Sequence, residues 1–103
     1  MRIKKLQVSE YIEKFKNTAT KKMLLDVRNP NELLEDGSIE QAINIPLANL
    51  PGNLTRISEE SQVFVFCRNG PRAEMAAELL SNSEFKEIVV LTDGGISELI
   101  GKV

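Results

Sequence analysis

The chain of 103 residues contains no histidine, no tryptophan and a single cysteine. Each lack removes a class of chemistry. Without histidine there is no imidazole base, so a cysteine–histidine catalytic pair is excluded. The same lack, with one thiol, leaves no cysteine–histidine zinc site, and neither a metal nor a cofactor is expected. One cysteine forms no internal disulfide, so any disulfide partner must be another molecule. Long apolar runs are also missing: nothing approaches the roughly 20 residues that span a bilayer. Met1-Arg2-Ile3-Lys4-Lys5-Leu6 has basic residues but no apolar run after them, which does not make a signal peptide. The net charge of −2 and pI near 5.2 argue against nucleic acid or an anionic membrane as partner. A reducing, cytoplasmic setting is the expectation.

What is present is ordinary in amount: 42% hydrophobic and 27% charged residues, enough for one core. With no repeat, linker or low-complexity tract, residues 1–103 are expected to form one domain. Apolar strands are expected near residues 5–8, 24–27, 42–45, 63–66 and 88–91. Ser9 is expected to cap a helix running to about Lys16, with Val8, Tyr11, Ile12 and Phe15 on one face. Asn31–Glu35 should make one helical turn, stopped near Gly37. Ala48–Ile57 has helical spacing but is interrupted by Pro51 and Gly52. Pro46 should end the strand before it or place that strand at an edge. Helices are expected at about residues 72–80 and 96–100, and Phe85 is expected to pack back on the core. This alternation predicts an α/β fold with a mostly parallel central sheet and helices on both faces, in three layers.

The centre of the chain is Val63-Phe64-Val65-Phe66-Cys67-Arg68-Asn69-Gly70-Pro71-Arg72-Ala73. A buried strand ends at the only cysteine, and a helix begins within a few residues. Helix N-termini carry unpaired N–H groups and partial positive charge, so this position favours an anion on sulfur. Gly70 can adopt positive φ and let the chain curl toward one point. Pro71 lacks an N–H but suits the first helical turn. Arg68 and Arg72 can each grip an oxyanion through two N–H groups. The plain alternative is a buried structural cysteine, common for this residue type. The strand–Cys–Gly–Arg–helix order favours the functional reading. Ligands of parallel sheets also bind off the carboxyl ends of the strands, where Cys67 falls.

The loop Cys67–Ala73 resembles the C-[RQ]-x-G-x-R-[AS] active-site loop of rhodanese-like domains, the sulfurtransferases. Leu25-Asp26-Val27-Arg28-Asn29-Pro30-Asn31-Glu32 is similar to that family's L-[IL]-D-V-R-x-x-x-E segment, in which the acid and arginine organise loops around the active site. On the resemblance, Asp26 and Arg28 are structural residues near the site. Gly37–Leu47 resembles G-H-I-x-G-A-x-N-I-P-L, with Ser38 in place of His and Gln41 in place of Gly. Because Gly takes positive φ freely, Gln41 is expected to change the turn there. Asp93-Gly94-Gly95 and a last helix match the family's x-G-G-helix ending, with Leu99 near the position of its usual Trp. Read from the residues alone, Asp93–Gly95 is a plain turn.

The resemblance implies a three-layer rhodanese-like fold and a thiosulfate sulfurtransferase. The Cys67 thiolate would take the outer sulfur of a small anionic donor such as thiosulfate and become a persulfide. Arg68, Asn69, Gly70, Pro71, Arg72 and Ala73 would form the substrate-binding loop, and cyanide, a thiol or a protein thiol partner would remove the sulfur. The same loop chemistry serves a persulfide carrier to a partner protein. A cysteine-dependent phosphatase or arsenate reductase is disfavoured: such loops place five residues between Cys and Arg, whereas four separate Cys67 from Arg72.

Overall fold

The computed structural model describes residues 3–14, 22–68, 70–83, 85 and 87–102. Five strands, β1 (Ile3–Gln7), β2 (Lys22–Asp26), β3 (Ala42–Asn44), β4 (Gln62–Phe66) and β5 (Glu87–Thr92), form one sheet in the order β1-β5-β4-β2-β3. Every pairing is parallel. The helices are α1 (Val8–Lys14), α2 (Pro30–Asp36), α3 (Pro71–Ser81) and α4 (Ile96–Leu99), with 3₁₀ turns over Leu47–Arg56. The expected α/β class with a central parallel sheet is therefore the observed one.

Two apolar clusters lie on the two faces of the sheet, and alternation along each strand assigns residues to them. Val63, Val65, Ile88 and Val90 join Leu25 and the buried stripe Ala73, Ala76, Ala77 and Leu80 of α3. Phe64, Phe66, Val89 and Leu91 join Val8 and Tyr11 of α1 and Ile96 and Leu99 of α4. The Tyr11 and Phe64 rings meet in a tilted pair 4.9 Å apart. Strands buried on both faces explain the unbroken apolar runs at 63–66 and 88–91. Phe85 is buried in the α3-side cluster as expected, and Leu99 is fully buried in the α1-side cluster.

Two local expectations need correction. Val8 is the first residue of α1, not the end of β1, so Ser9 lies inside the helix and is not its cap. Val8 is buried with Tyr11 beneath the sheet, and that packing sets where the helix begins. The interruption of Leu47–Arg56 falls at Asn53 (φ −129°, ψ 19°), beyond Pro51 and Gly52, and the turns are 3₁₀, not α. Gln41, as expected of a residue other than glycine, does not take positive φ, and the turn closes by Ala42 N–H donating to the Ile39 carbonyl at 3.0 Å. Pro46 does follow an edge strand, and Gly37 stops α2 with φ 87°. Phe15 and Lys16, expected in α1, lie outside the described residues.

The strand order positions the site. The connection from β2 leads outward to β3, whereas that from β4 leads the opposite way to β5. Between the carboxyl ends of β2 and β4 the chain therefore diverges, which opens a crevice there.

Candidate active site

Cys67 stands at that divergence. It continues the phase of Val63 and Val65, so its side chain belongs to the α3 face, where it is about 1% exposed. Gly70 takes φ 118° with nothing within 4 Å of an added Cβ, so glycine is needed there for its backbone angle and not for space. That curl aims the Gly70 N–H at the cysteine, and it donates to Sγ at 2.9 Å. Gly70 is also the N-cap of α3 and Pro71 its first residue, as the missing N–H of proline allows. The sulfur thus faces a helix N-terminus with an amide already directed at it.

Beside it, the β2–α2 segment supplies a set of charge pairs. Arg28 is fully buried; its Nε donates to Asp26 Oδ1 at 2.9 Å and its Nη2 to Asp26 Oδ2 at 2.6 Å. Nη2 also donates to the Gly37 carbonyl at 3.1 Å, tying the end of α2 to the end of β2. Asp26 and Arg28 are thus paired inside the protein and spend their polar atoms on each other and on the α2 backbone. Asn44 adds to this network, donating from Nδ2 to the carbonyls of Asp26 (3.0 Å) and Arg28 (2.9 Å).

Arg72 is turned to a carboxylate. Its Nη1 donates to Glu32 Oε2 at 2.6 Å and its Nη2 to Glu32 Oε1 at 2.7 Å, a two-point grip across 40 residues of sequence. Glu32 Oε2 also accepts the Asn29 N–H at 2.9 Å at the start of α2. The Arg72 hydrogen bonds, aided by the Asn29 N–H and the charges of Arg72 and Arg28, hold the Glu32 carboxyl down at about 2, against the opposing effect of burial. Arg72 is shifted up, chiefly by its bonds to Glu32 and in part by the field of Cys67. Arg68, more than half exposed, pairs with Asp36 at 3.4 Å.

The remaining loop residues divide. Pro71 is exposed at the mouth, Ala73 is buried in the core under α3, and Asn69 lies outside the described residues. The reading of Asp93–Gly95 as a plain turn misses a contact. A Cβ at Gly95 would overlap the carbonyl oxygens of Cys67 and Arg68, and Ile96 N–H donates to the Cys67 carbonyl at 3.2 Å. Glu32, Asn44 and Gly95 thus shape the site from other elements. Glu32 and Asn44 were visible only as fixed letters of the segments quoted above. Among the described residues no cluster of three or more Cys, Asp or Glu side chains is arranged to hold a metal ion. A hollow of about 530 Å³ lined by Leu54, Ile57 and Phe85 lies toward the opposite, amino-terminal edge of the sheet.

Comparison with known proteins bears on this arrangement directly. The family model for the rhodanese-like domain matches residues 7–102. The chain belongs to the rhodanese-like domain family. An uncharacterized protein of Bacillus subtilis, YqhL, is 37% identical over 91 residues, covering 88% of this chain and 71% of that protein. YrkF of the same organism, described as a putative sulfur carrier protein, is 30% identical over 69% of this chain but only 38% of its own length. A sulfurtransferase of Allochromatium vinosum is 28% identical, covering 73% of this chain and 69% of that protein. Among solved structures, a rhodanese-related protein of Thermoplasma volcanium superposes with TM-score 0.76 at 31% identity, covering 94% of this chain and 90% of the other. A Staphylococcus saprophyticus protein gives TM-score 0.78 at 26% identity, covering 92% and 91%. This rhodanese-like domain is thus akin to sulfurtransferases and sulfur carriers. Among its described residues no helix is long and apolar enough to cross a membrane.

Proposed function

We propose that residues 1–103 act as one cytoplasmic rhodanese-like domain that transfers sulfane sulfur through a persulfide on Cys67. The observation that carries this reading is the Gly70 N–H directed at Cys67 Sγ at 2.9 Å, at the start of α3. In the first half-reaction the Cys67 thiolate attacks the outer sulfur of a donor; the new S–S bond forms on Cys67 as the donor's own bond to that sulfur breaks, and the donor remainder leaves with the electron pair. Thiosulfate is the simplest donor and releases sulfite; an organic persulfide delivers the same sulfur and releases a thiolate. In the second half-reaction cyanide, a thiol or a protein thiol takes the outer sulfur and restores the Cys67 thiolate. The amide directed at the sulfur is in place before charge arrives, so little reorganisation accompanies the reaction. Burial of Cys67 shields the persulfide from solvent between the two steps.

A carrier role toward a partner protein is the second reading, supported by the relative described as a putative sulfur carrier. The two differ in acceptor: an enzyme turns over with a small thiol or cyanide, a carrier mainly with a protein thiol. Phosphatase chemistry is disfavoured by the four-residue spacing and by the engagement of Arg72 with Glu32. Initial rates measured while varying donor and acceptor test the covalent cycle. Parallel double-reciprocal lines, and a loss of at least about 1,000-fold in Cys67→Ser, are the expected result. Intersecting lines, or a Cys67→Ser protein of normal rate, would contradict it.

A further inference from the structure

Three arginines surround the cysteine loop, and each is matched to its own carboxylate: Arg28 with Asp26, Arg72 with Glu32 and Arg68 with Asp36. All three carboxylates come from one stretch of chain, the end of β2 and α2. The pairs differ in how completely they are closed. Arg28–Asp26 is fully buried. Arg72–Glu32 is largely buried and joined at two points, with the carboxylate further fixed by the Asn29 N–H. Arg68–Asp36 is open and single-point. The amide cradle is also short of one donor, because Pro71 has no N–H.

Such a mouth receives a dianion poorly. In attack on thiosulfate a thiolate meets a doubly charged donor, and the negative charge gathered at the sulfur calls for a free cation. Arg72 lies within the field of Cys67 and is the cation placed to answer it, yet its two terminal nitrogens are bound to Glu32. A neutral or singly charged organic persulfide, R–S–SH, asks less: Cys67–S⁻ bonds to the outer sulfur, the donor's S–S bond breaks, and R–S⁻ departs with the electron pair, the proton staying on the transferred sulfur. For that step one directed amide and the helix N-terminus suffice.

We propose that Glu32 is a specificity-determining positioning residue, which by binding the Arg72 guanidinium biases the Cys67 site toward sulfane donors of low charge and away from thiosulfate. The inference rests on the sulfurtransferase reading above and narrows its donor class.

The test compares kcat/KM for sulfur loading from thiosulfate and from the persulfide of 2-mercaptoethanol, in wild type and Glu32→Gln, at low and high salt. Glutamine keeps the shape of the side chain and an acceptor for Asn29 while removing the charge. Wild type is expected to prefer the persulfide. Glu32→Gln is expected to raise the thiosulfate value about tenfold, in a way that salt suppresses, and to leave the persulfide value within about twofold. A purely structural role would lower both donors together, and that result overturns the proposal. So does a wild type that prefers thiosulfate. Should Glu32→Gln fold poorly, Asp36→Asn releases the exposed Arg68 without touching the start of α2. A rise of about two- to threefold with thiosulfate alone is then expected, and an unchanged donor ratio overturns the idea. Failure of wild type to load from either donor would overturn the sulfurtransferase reading itself, a distinguishable outcome.

Discussion

Glu32 ties three parts of the site together: its carboxylate receives Arg72 from α3 and the N–H of Asn29, the N-cap of its own helix, and its backbone carbonyl accepts Arg28 Nη1 at 3.5 Å. Its carboxyl sits at about 2 in the folded chain, below its ordinary value near 4.5. A carboxyl depressed by folding adds stability that is fully present above about pH 4.5 and is lost as pH falls from there toward 2. Between about pH 6 and pH 3, chemical denaturation should therefore show wild type losing on the order of 1–2 kcal/mol more than Glu32→Gln. Equal losses in the two proteins would remove Glu32 as an acid-sensitive contact. Arg28 and Asp26 work differently. Closed from water, they are matched to each other and to backbone carbonyls, and removing one would strand the other's charge inside the protein.

At the scale of elements, the loop is formed by a strand, a helix and one neighbouring turn. Gly70 and Gly95 are both needed, for unlike reasons. At Gly70 the constraint is φ 118° with open space around an added Cβ; at Gly95 it is collision with the backbone of Cys67 and Arg68. Gly70→Ala should cost about 1–3 kcal/mol through backbone strain. Gly95→Ala should cost a similar amount through overpacking and should also displace Cys67. Thermal unfolding beside sulfur-loading rates checks this: Gly95→Ala at wild-type stability and rate would contradict the contact.

The contrast also shows what a sequence can reveal. The strand, the curl at Gly70 and the start of α3 follow from local preferences: an apolar run, a glycine, a proline and alanines at helical spacing. The apolar alternation that divides Phe64 and Phe66 from Val63 and Val65 is likewise local. The Glu32–Arg72 grip spans 40 residues, and no periodicity announces it; Arg72 reads from its own neighbourhood as a free anion binder. Gly95 reads as part of a turn because the backbone it must avoid belongs to another strand's end. Val8 shows the same limit on a smaller scale, since burial under the sheet outweighed the capping preference of Ser9.

For the whole molecule, the sheet order explains why this chemistry falls where it does. Connections that leave β2 and β4 in opposite directions open the crevice that receives Cys67, while the end of β2 and α2 together supply the three carboxylates paired with its arginines. The two apolar clusters hold the sheet from both sides, so the loop is carried on a rigid base. The most direct measurement of the central claim is the intact mass of wild type and Cys67→Ser after exposure to a sulfane donor, then again after cyanide. The account predicts a gain of one sulfur atom on wild type alone, lost on cyanide addition with release of thiocyanate. A wild-type mass unchanged by both thiosulfate and persulfide, or an equal gain on Cys67→Ser, would contradict it.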